Sequence, residues 1–242
     1  MDYKKYPEII MFKQGLSDLG VELSEHQIQQ FIIYYEMIVE KNKVMNLTAI
    51  TGLREVINKH FIDSLSLVKV YRPEDERILD LGTGAGFPGI PLKIAFPGID
   101  IVLLDSLNKR LLFLDEVINE LGLKKVVTLH GRAEDYGRDD SYREGFDVCV
   151  SRAVARLSSL AEYCLPFVKK NGYFIPYKSG NIEEELKQSE RALNTLGAKL
   201  EKVGEFTLPG TDMERALILI KKVSLTPKNY PRGAGKPGKE PL

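Results

Sequence analysis

With 242 residues and 43% hydrophobic content, the chain is long enough for one large domain or a core domain with a smaller appendage. Lys plus Arg equals Asp plus Glu at 34 each, which excludes a global electrostatic pull toward nucleic acid or membrane and makes any basic surface local. Cys149 and Cys164 are too few for a zinc cluster or a disulfide framework and read as reduced, buried residues.

Met1 to Phe12 holds no long apolar run, and no stretch approaches the roughly 18 apolar residues of a membrane span, so a cytoplasmic protein is expected. Residues 1–75 read as a helical region. Ser24 caps a helix whose Ile28, Phe31, Ile32, Tyr35, Ile38 and Val39 form one apolar stripe. Residues 52–71 make a second helix with Val56, Ile57, Phe61, Leu65 and Val68 inward, and residues 46–50 between them read as a turn. His60 and Asp63 have no third ligand nearby in sequence and read as a structural link to the following domain, so no metal is expected.

From Arg77 onward strands alternate with helices, which predicts an α/β fold with a parallel sheet covered on both faces. The strands are placed at 77–81, 100–104, 126–130, 146–150 and 172–177, and the helices at 88–96, 107–121, 156–168 and 181–196. Runs at 199–208 and 215–222 follow without a full helix between them and predict an antiparallel edge. The core domain spans 76–223. Residues 224–242, rich in Pro, Gly, Lys and Arg, exclude regular structure and read either as a disordered tail or as an extended arm on phosphate.

Chemistry concentrates at residues 78–89, where an apolar strand runs into a glycine turn and a helix start. Gly82, Gly84 and Gly86 allow positive φ and close backbone approach, with Thr83 and Phe87 beside them. Gly84-Ala85-Gly86-Phe87-Pro88-Gly89 also spells a dinucleotide fingerprint, and Asp105, 21 residues after Gly84, suits the ribose of S-adenosylmethionine and of NAD equally. Asp105 also fits a helix cap. Asp80 is placed either to meet a ligand ammonium group or to cap the turn. Gly131-Arg132-Ala133-Glu134 follows the third strand, where an adenine is covered in methyltransferases of this architecture. Residues 151–157 lack the Asn-Pro-Pro-Tyr motif of amino methyltransferases and a Pro-Cys nucleophile, which leaves alkylation of a ring nitrogen.

Seven ordered segments carry a resemblance to a known family: residues 46–50, 60–65, 82–91, 105–110, 132–134, 151–157 and the closing Tyr230-Pro231-Arg232…Pro241-Leu242. Together they resemble ribosomal RNA small subunit methyltransferase G, also called glucose-inhibited division protein B. The resemblance implies a class I S-adenosylmethionine-dependent methyltransferase, Rossmann-like, with a seven-stranded, mostly parallel sheet and an N-terminal helical extension. It implies methyl transfer to N7 of a guanine in 16S rRNA, with the RNA or the 30S subunit as partner; a monomer without a membrane partner is expected. Gly82, Phe87, Ala133, Glu134 and Arg152 are implied cofactor contacts.

Arg152 and Lys178 are the candidate catalytic cations for guanine O6, because N7 must keep its lone pair free. Lys109, Arg110, Lys178 and Arg232 are candidate RNA contacts. An NAD-dependent oxidoreductase and a noncatalytic RNA-binding protein remain the alternatives on the residues themselves.

Overall fold

The computed structural model describes residues 5–152, 155–180 and 182–242. Ala153 and Val154 of the 151–157 segment, and Asn181 at the expected start of a helix, lie outside the described residues.

Seven strands form one sheet in the order β3-β2-β1-β4-β5-β7-β6. They are β1 (Arg77–Leu81), β2 (Asp100–Asp105), β3 (Val126–His130), β4 (Phe146–Arg152), β5 (Val168–Lys178), β6 (Ala198–Thr207) and β7 (Glu214–Lys222). The first five are parallel, with Leu79 beside Val102 and Cys149, while β7 runs antiparallel to both β5 and β6. β1 is apolar and buried along most of its length because helices cover both faces. Chain order reverses on either side of β1, and its carboxyl end is where such sheets bind ligands.

The helices are α1 (Glu8–Leu19), α2 (Glu25–Met45), α3 (Leu53–Val56), α4 (Asp63–Leu65), α5 (Gly89–Ala95), α6 (Asn108–Glu120), α7 (Ala133–Tyr136), α8 (Leu157–Cys164), α9 (Glu183–Thr195) and α10 (Lys236–Lys239). α2 begins in a full capping box of Ser24 and Gln27, and the Gln27 amide also donates to the Ile94 carbonyl at 2.7 Å, so the cap ties α2 to α5. One face of the sheet, α1–α6 and the α2 stripe share a single apolar core. Tyr34, rather than the expected Tyr35, is the tyrosine fully buried there.

The expected single helix at 52–71 is broken into turns of different pitch. Ile57–Ile62 between α3 and α4 is a π-helical stretch, and Ser66–Lys69 is 3-10. No described helix is long and apolar enough to cross a membrane.

The second core, on the other sheet face, is closed by α8, α9 and the residues after β7. These last residues are neither a disordered tail nor a free arm. Arg143 donates to the carbonyls of Tyr230 (2.8 Å), Thr226 (2.7 Å) and Pro227 (3.3 Å), and Arg138 donates to Pro231 (2.9 Å). The fully buried Lys222 ammonium meets Leu165 O (2.7 Å), Val168 O (3.1 Å) and Glu144 (3.3 Å), while Glu144 accepts the Thr226 amide at 2.9 Å. Burial pulls the Lys222 pKa down to about 8. Proline and glycine thus forbid a long helix but not a fixed path, and the four-residue α10 forms within it.

Candidate active site

The glycine turn leaves β1 with the Gly82 and Thr83 amides donating to Leu104 O at 2.8 and 3.1 Å, which fastens the turn to β2. Gly82, Gly84 and Gly86 all have positive φ, at 74°, 61° and 102°. Their surroundings differ. A methyl group on Gly84 meets nothing nearer than Gly82 O at 4.0 Å, so the backbone there is open to the cavity. On Gly86 it meets Tyr34 Oη at 2.6 Å and Ile90 and Leu114 at 2.8 Å, so Gly86 serves the docking of α2. The Tyr34 hydroxyl donates to Ala85 O and completes that junction.

A cavity of about 740 Å³ opens over the turn, within the range of small-ligand sites. Gly82, Thr83, Gly84, Phe87, Asp105, Arg110, Ala133, Glu134 and Arg152 line it, whereas Asp80 and Gly86 are not among its lining residues. Asp80 lies beneath. Its Oδ2 accepts the Thr83 hydroxyl (2.7 Å) and the Gly89 amide (2.8 Å), the capping role, and its buried Oδ1 has no partner. Burial raises the Asp80 pKa to about 6 against these hydrogen bonds.

Asp105 is held from several sides: Gly84 N at 2.9 Å, Leu107 N at 2.8 Å and Arg110 at 3.3 Å. Asp105 thus braces the loop that enters α6, whose N-cap is Leu107, and lines the cavity. A carboxylate has about four acceptor positions, so capacity for a ligand hydroxyl is left. Arg110 is therefore a cavity-edge residue engaged with Asp105, while Lys109 beside it is exposed.

Across the cavity, Arg152 at the end of β4 is bound by the N-terminal helices. Its guanidinium donates to Asp63 Oδ2 (2.8 Å) and Lys59 O (3.1 Å), approaches His60 Nδ1 (3.3 Å), and lies 5.2 Å from the Phe87 ring centroid. His60 stacks on Phe87 at 4.4 Å. The π-helical stretch presents the Lys59 carbonyl and His60 together, a use of the wider turn common at functional sites. The expected link through His60 and Asp63 is present, with a cation the sequence did not reveal: Arg215 of β7 also binds Asp63, at 2.8 Å.

Burial and the neighbouring Arg152 push the His60 pKa down to about 4. The unfolded chain thus binds the extra proton first, and the stability supplied by neutral His60, full above pH 6.5, is lost as pH falls through about 4. In a His60→Gln variant the decline in Tm between pH 6.5 and 4 is shallower than in the unaltered chain. An equal slope by thermal melting contradicts the assignment.

A second cavity of about 530 Å³ adjoins the first and shares His60, Arg152 and Ala155 with it. Lys178 lies here, not in the first cavity, and donates to Glu185 (2.7 Å) and Ala155 O (2.9 Å). Glu185 also accepts the Leu157 amide, so Lys178 braces the start of α8 as well as lining the cavity. Arg232 lies apart from both cavities, in a bidentate ion pair with the buried Glu162 at 2.6 to 3.1 Å. Its guanidinium is engaged within the fold. Among the described residues no group of three or more metal-ligating side chains occurs.

The sequence model of the family described as rRNA small subunit methyltransferase G (GidB) matches residues 27–217. The chain belongs to that family. The ribosomal RNA small subunit methyltransferase G of Lachnoclostridium phytofermentans is 61% identical over 96% of each chain, and that of Acetivibrio thermocellus is 50% identical over the full length of both. As a member of the rRNA small subunit methyltransferase G family, the chain has the class I methyltransferase fold. Among solved structures, M. jannaschii TYW2 in complex with AdoMet superposes with a TM-score of 0.55 over 72% of this chain and 80% of that chain, at 15% identity. That likeness is one of fold.

Proposed function

We propose that the protein transfers a methyl group from S-adenosylmethionine to N7 of a guanine in 16S rRNA, as free RNA or within the small subunit. Family membership supports the methyltransferase reading. The observation that carries the rest is the position of Arg152 on the boundary of two adjoining cavities.

The first cavity fits the cofactor. The open backbone at Gly84 accepts close approach, the orphaned Asp80 Oδ1 beneath supplies negative charge, and Asp105 and Glu134 offer carboxylates along the wall. Gly82, Gly84, Phe87, Asp105, Ala133 and Glu134 would hold it. When bound, S-adenosylmethionine supplies an electrophilic methyl group on a sulfonium.

The second cavity takes the guanine, with N7 turned toward the first. The bound group would supply its methyl carbon to the in-plane lone pair of N7, the electrons of the broken carbon–sulfur bond staying with sulfur. No proton is lost, so no general base is needed. The protein's part is alignment, which lowers a barrier by roughly 7 to 11 kcal/mol when reacting atoms are held in line. Positive charge begins on sulfur and ends on the purine. Arg152, balanced by Asp63 at 2.8 Å, is a donor for O6 that adds little net charge. Lys178, which lines the same cavity, is the second candidate.

The test is transfer of labelled methyl from S-adenosylmethionine to small subunits or their RNA, followed by nucleoside identification. Label in 7-methylguanosine at one site is the expected result. Cofactor binding without label in either substrate overturns the RNA assignment, and RNA binding without cofactor binding favours a noncatalytic protein.

A further inference from the structure

The segment after Tyr230 has the composition of a loose basic tail, yet its backbone reaches the first cavity. Gly235 and Gly238 line that cavity together with Glu134 and Tyr163. The Gly235 amide donates to Glu134 Oε1 at 2.8 Å, and the Glu134 carboxylate is buried. This amide occupies one acceptor position and orients the group, leaving capacity for a donor from the cavity side.

The path is anchored immediately before and after these contacts. Glu162, 0% exposed at its side chain, accepts both the Arg232 backbone amide (2.7 Å) and its guanidinium, and Arg232 also donates to Glu240 O (2.7 Å). Pro237 is buried, and its carbonyl accepts the Ser159 hydroxyl at 2.8 Å. A buried carboxylate with a bidentate arginine is a strong geometric constraint, because breaking one partner strands the other charge.

Strand order gives this wall its chemical meaning. β1 bears the glycine turn, β2 ends in Asp105, and β3 leads to Glu134, with the three strands adjacent in the sheet. Neighbouring strands lie about 4.8 Å apart, so the step from β1 to β3 is about 10 Å, the span of a nucleoside. A ligand with its amino acid portion over β1 and its ribose over Asp105 puts its purine at Glu134 and the glycines of the C-terminal segment.

We infer that residues 232–238 belong to the cofactor site, forming the wall against which the purine of S-adenosylmethionine rests, with Arg232 as the positioning residue that holds the wall in place. This inference rests on the cofactor reading above. The glycines fit the role: Gly235 has φ of 76°, a methyl group on Gly238 would crowd Tyr163 Oη at 3.3 Å, and without side chains both offer the cavity only backbone. The segment read as either a loose tail or an arm on phosphate is packed against the core at Arg232 and Pro237.

The experiment titrates S-adenosylmethionine and 5′-methylthioadenosine, which lacks the amino acid portion, into the full chain and into Arg232→Ala, Arg232→Lys and Gly238→Val. Arg232→Ala weakens both ligands by about tenfold or more and by similar factors, about 1.4 kcal/mol for each decade. Arg232→Lys recovers part of the loss. In methyl-transfer assays Arg232→Ala raises the cofactor KM more than it lowers kcat, and binding of 16S rRNA without cofactor is unchanged. Gly238→Val, which keeps the Arg232–Glu162 pair, weakens the same two ligands and carries the test if Arg232→Ala does not fold. Unchanged cofactor affinity in both Arg232→Ala and Gly238→Val overturns the inference, as does a loss confined to RNA binding. Failure of the unaltered chain to bind either ligand overturns the cofactor reading itself.

Discussion

Replacing Arg152 by alanine lowers methyl transfer by about 10² to 10³-fold, the usual effect of deleting one preorganised donor at a reacting centre. The fold survives the change, because Asp63 keeps Arg215 at 2.8 Å and is not stranded as an unpaired buried charge. Arg152→Lys does not restore the rate. A single ammonium cannot reproduce the contacts to Lys59 O, Asp63 and His60 with one planar group. Single-turnover transfer from saturating S-adenosylmethionine measures the step directly. Full activity in Arg152→Ala together with loss in Lys178→Ala moves the essential cation across the second cavity. Full activity in both removes a cation from the mechanism.

The two inner glycines of the turn give opposite results. Gly86→Ala destabilises the protein by about 2 to 4 kcal/mol, since a side chain at φ of 102° is strained and its methyl is driven into Tyr34, Ile90 and Leu114. For a chain of this size that corresponds to a fall in Tm of roughly 5 to 15 °C. Gly84→Ala costs only about 1 kcal/mol of backbone strain because the space around it is open, and it lowers cofactor affinity by about tenfold or more by filling that space. Thermal melts and cofactor titrations on both variants separate the roles. Equal Tm losses, or unchanged affinity in Gly84→Ala, contradict the division.

Local pattern carried much of the fold. β1 and β3 coincide with their expected limits because short apolar runs bounded by charged or turn residues admit few other readings. β5 extends further toward its amino end than expected, through the polar Lys169, Lys170 and Asn171, the last with φ of 72°. No apolar period marks such an extension. The glycine turn and Asp105 were visible because each asks something of the backbone that few residue types satisfy. Tyr34 and Tyr35 fit the same stripe equally well, and only the position of Ala85 decides which is buried. Arg215 and Glu162 gave no signal because their partners, Asp63 and Arg232, lie far away in sequence. The C-terminal segment was opaque for a related reason. Composition reports on hydrogen bonding within a segment, whereas this one is held by side chains of Arg143, Arg138 and Glu162 that reach it from the core.

The first cavity draws its walls from Leu47 near one end of the chain and Gly238 near the other. A cavity enclosed by residues so far apart in sequence closes only after long stretches of chain have been ordered. A polypeptide emerging from the ribosome exposes the glycine turn and Asp105 well before Gly235 and Gly238 exist to complete the enclosure. On this geometry the wall that carries the glycine turn and Asp105 is completed by a segment from a distant part of the chain.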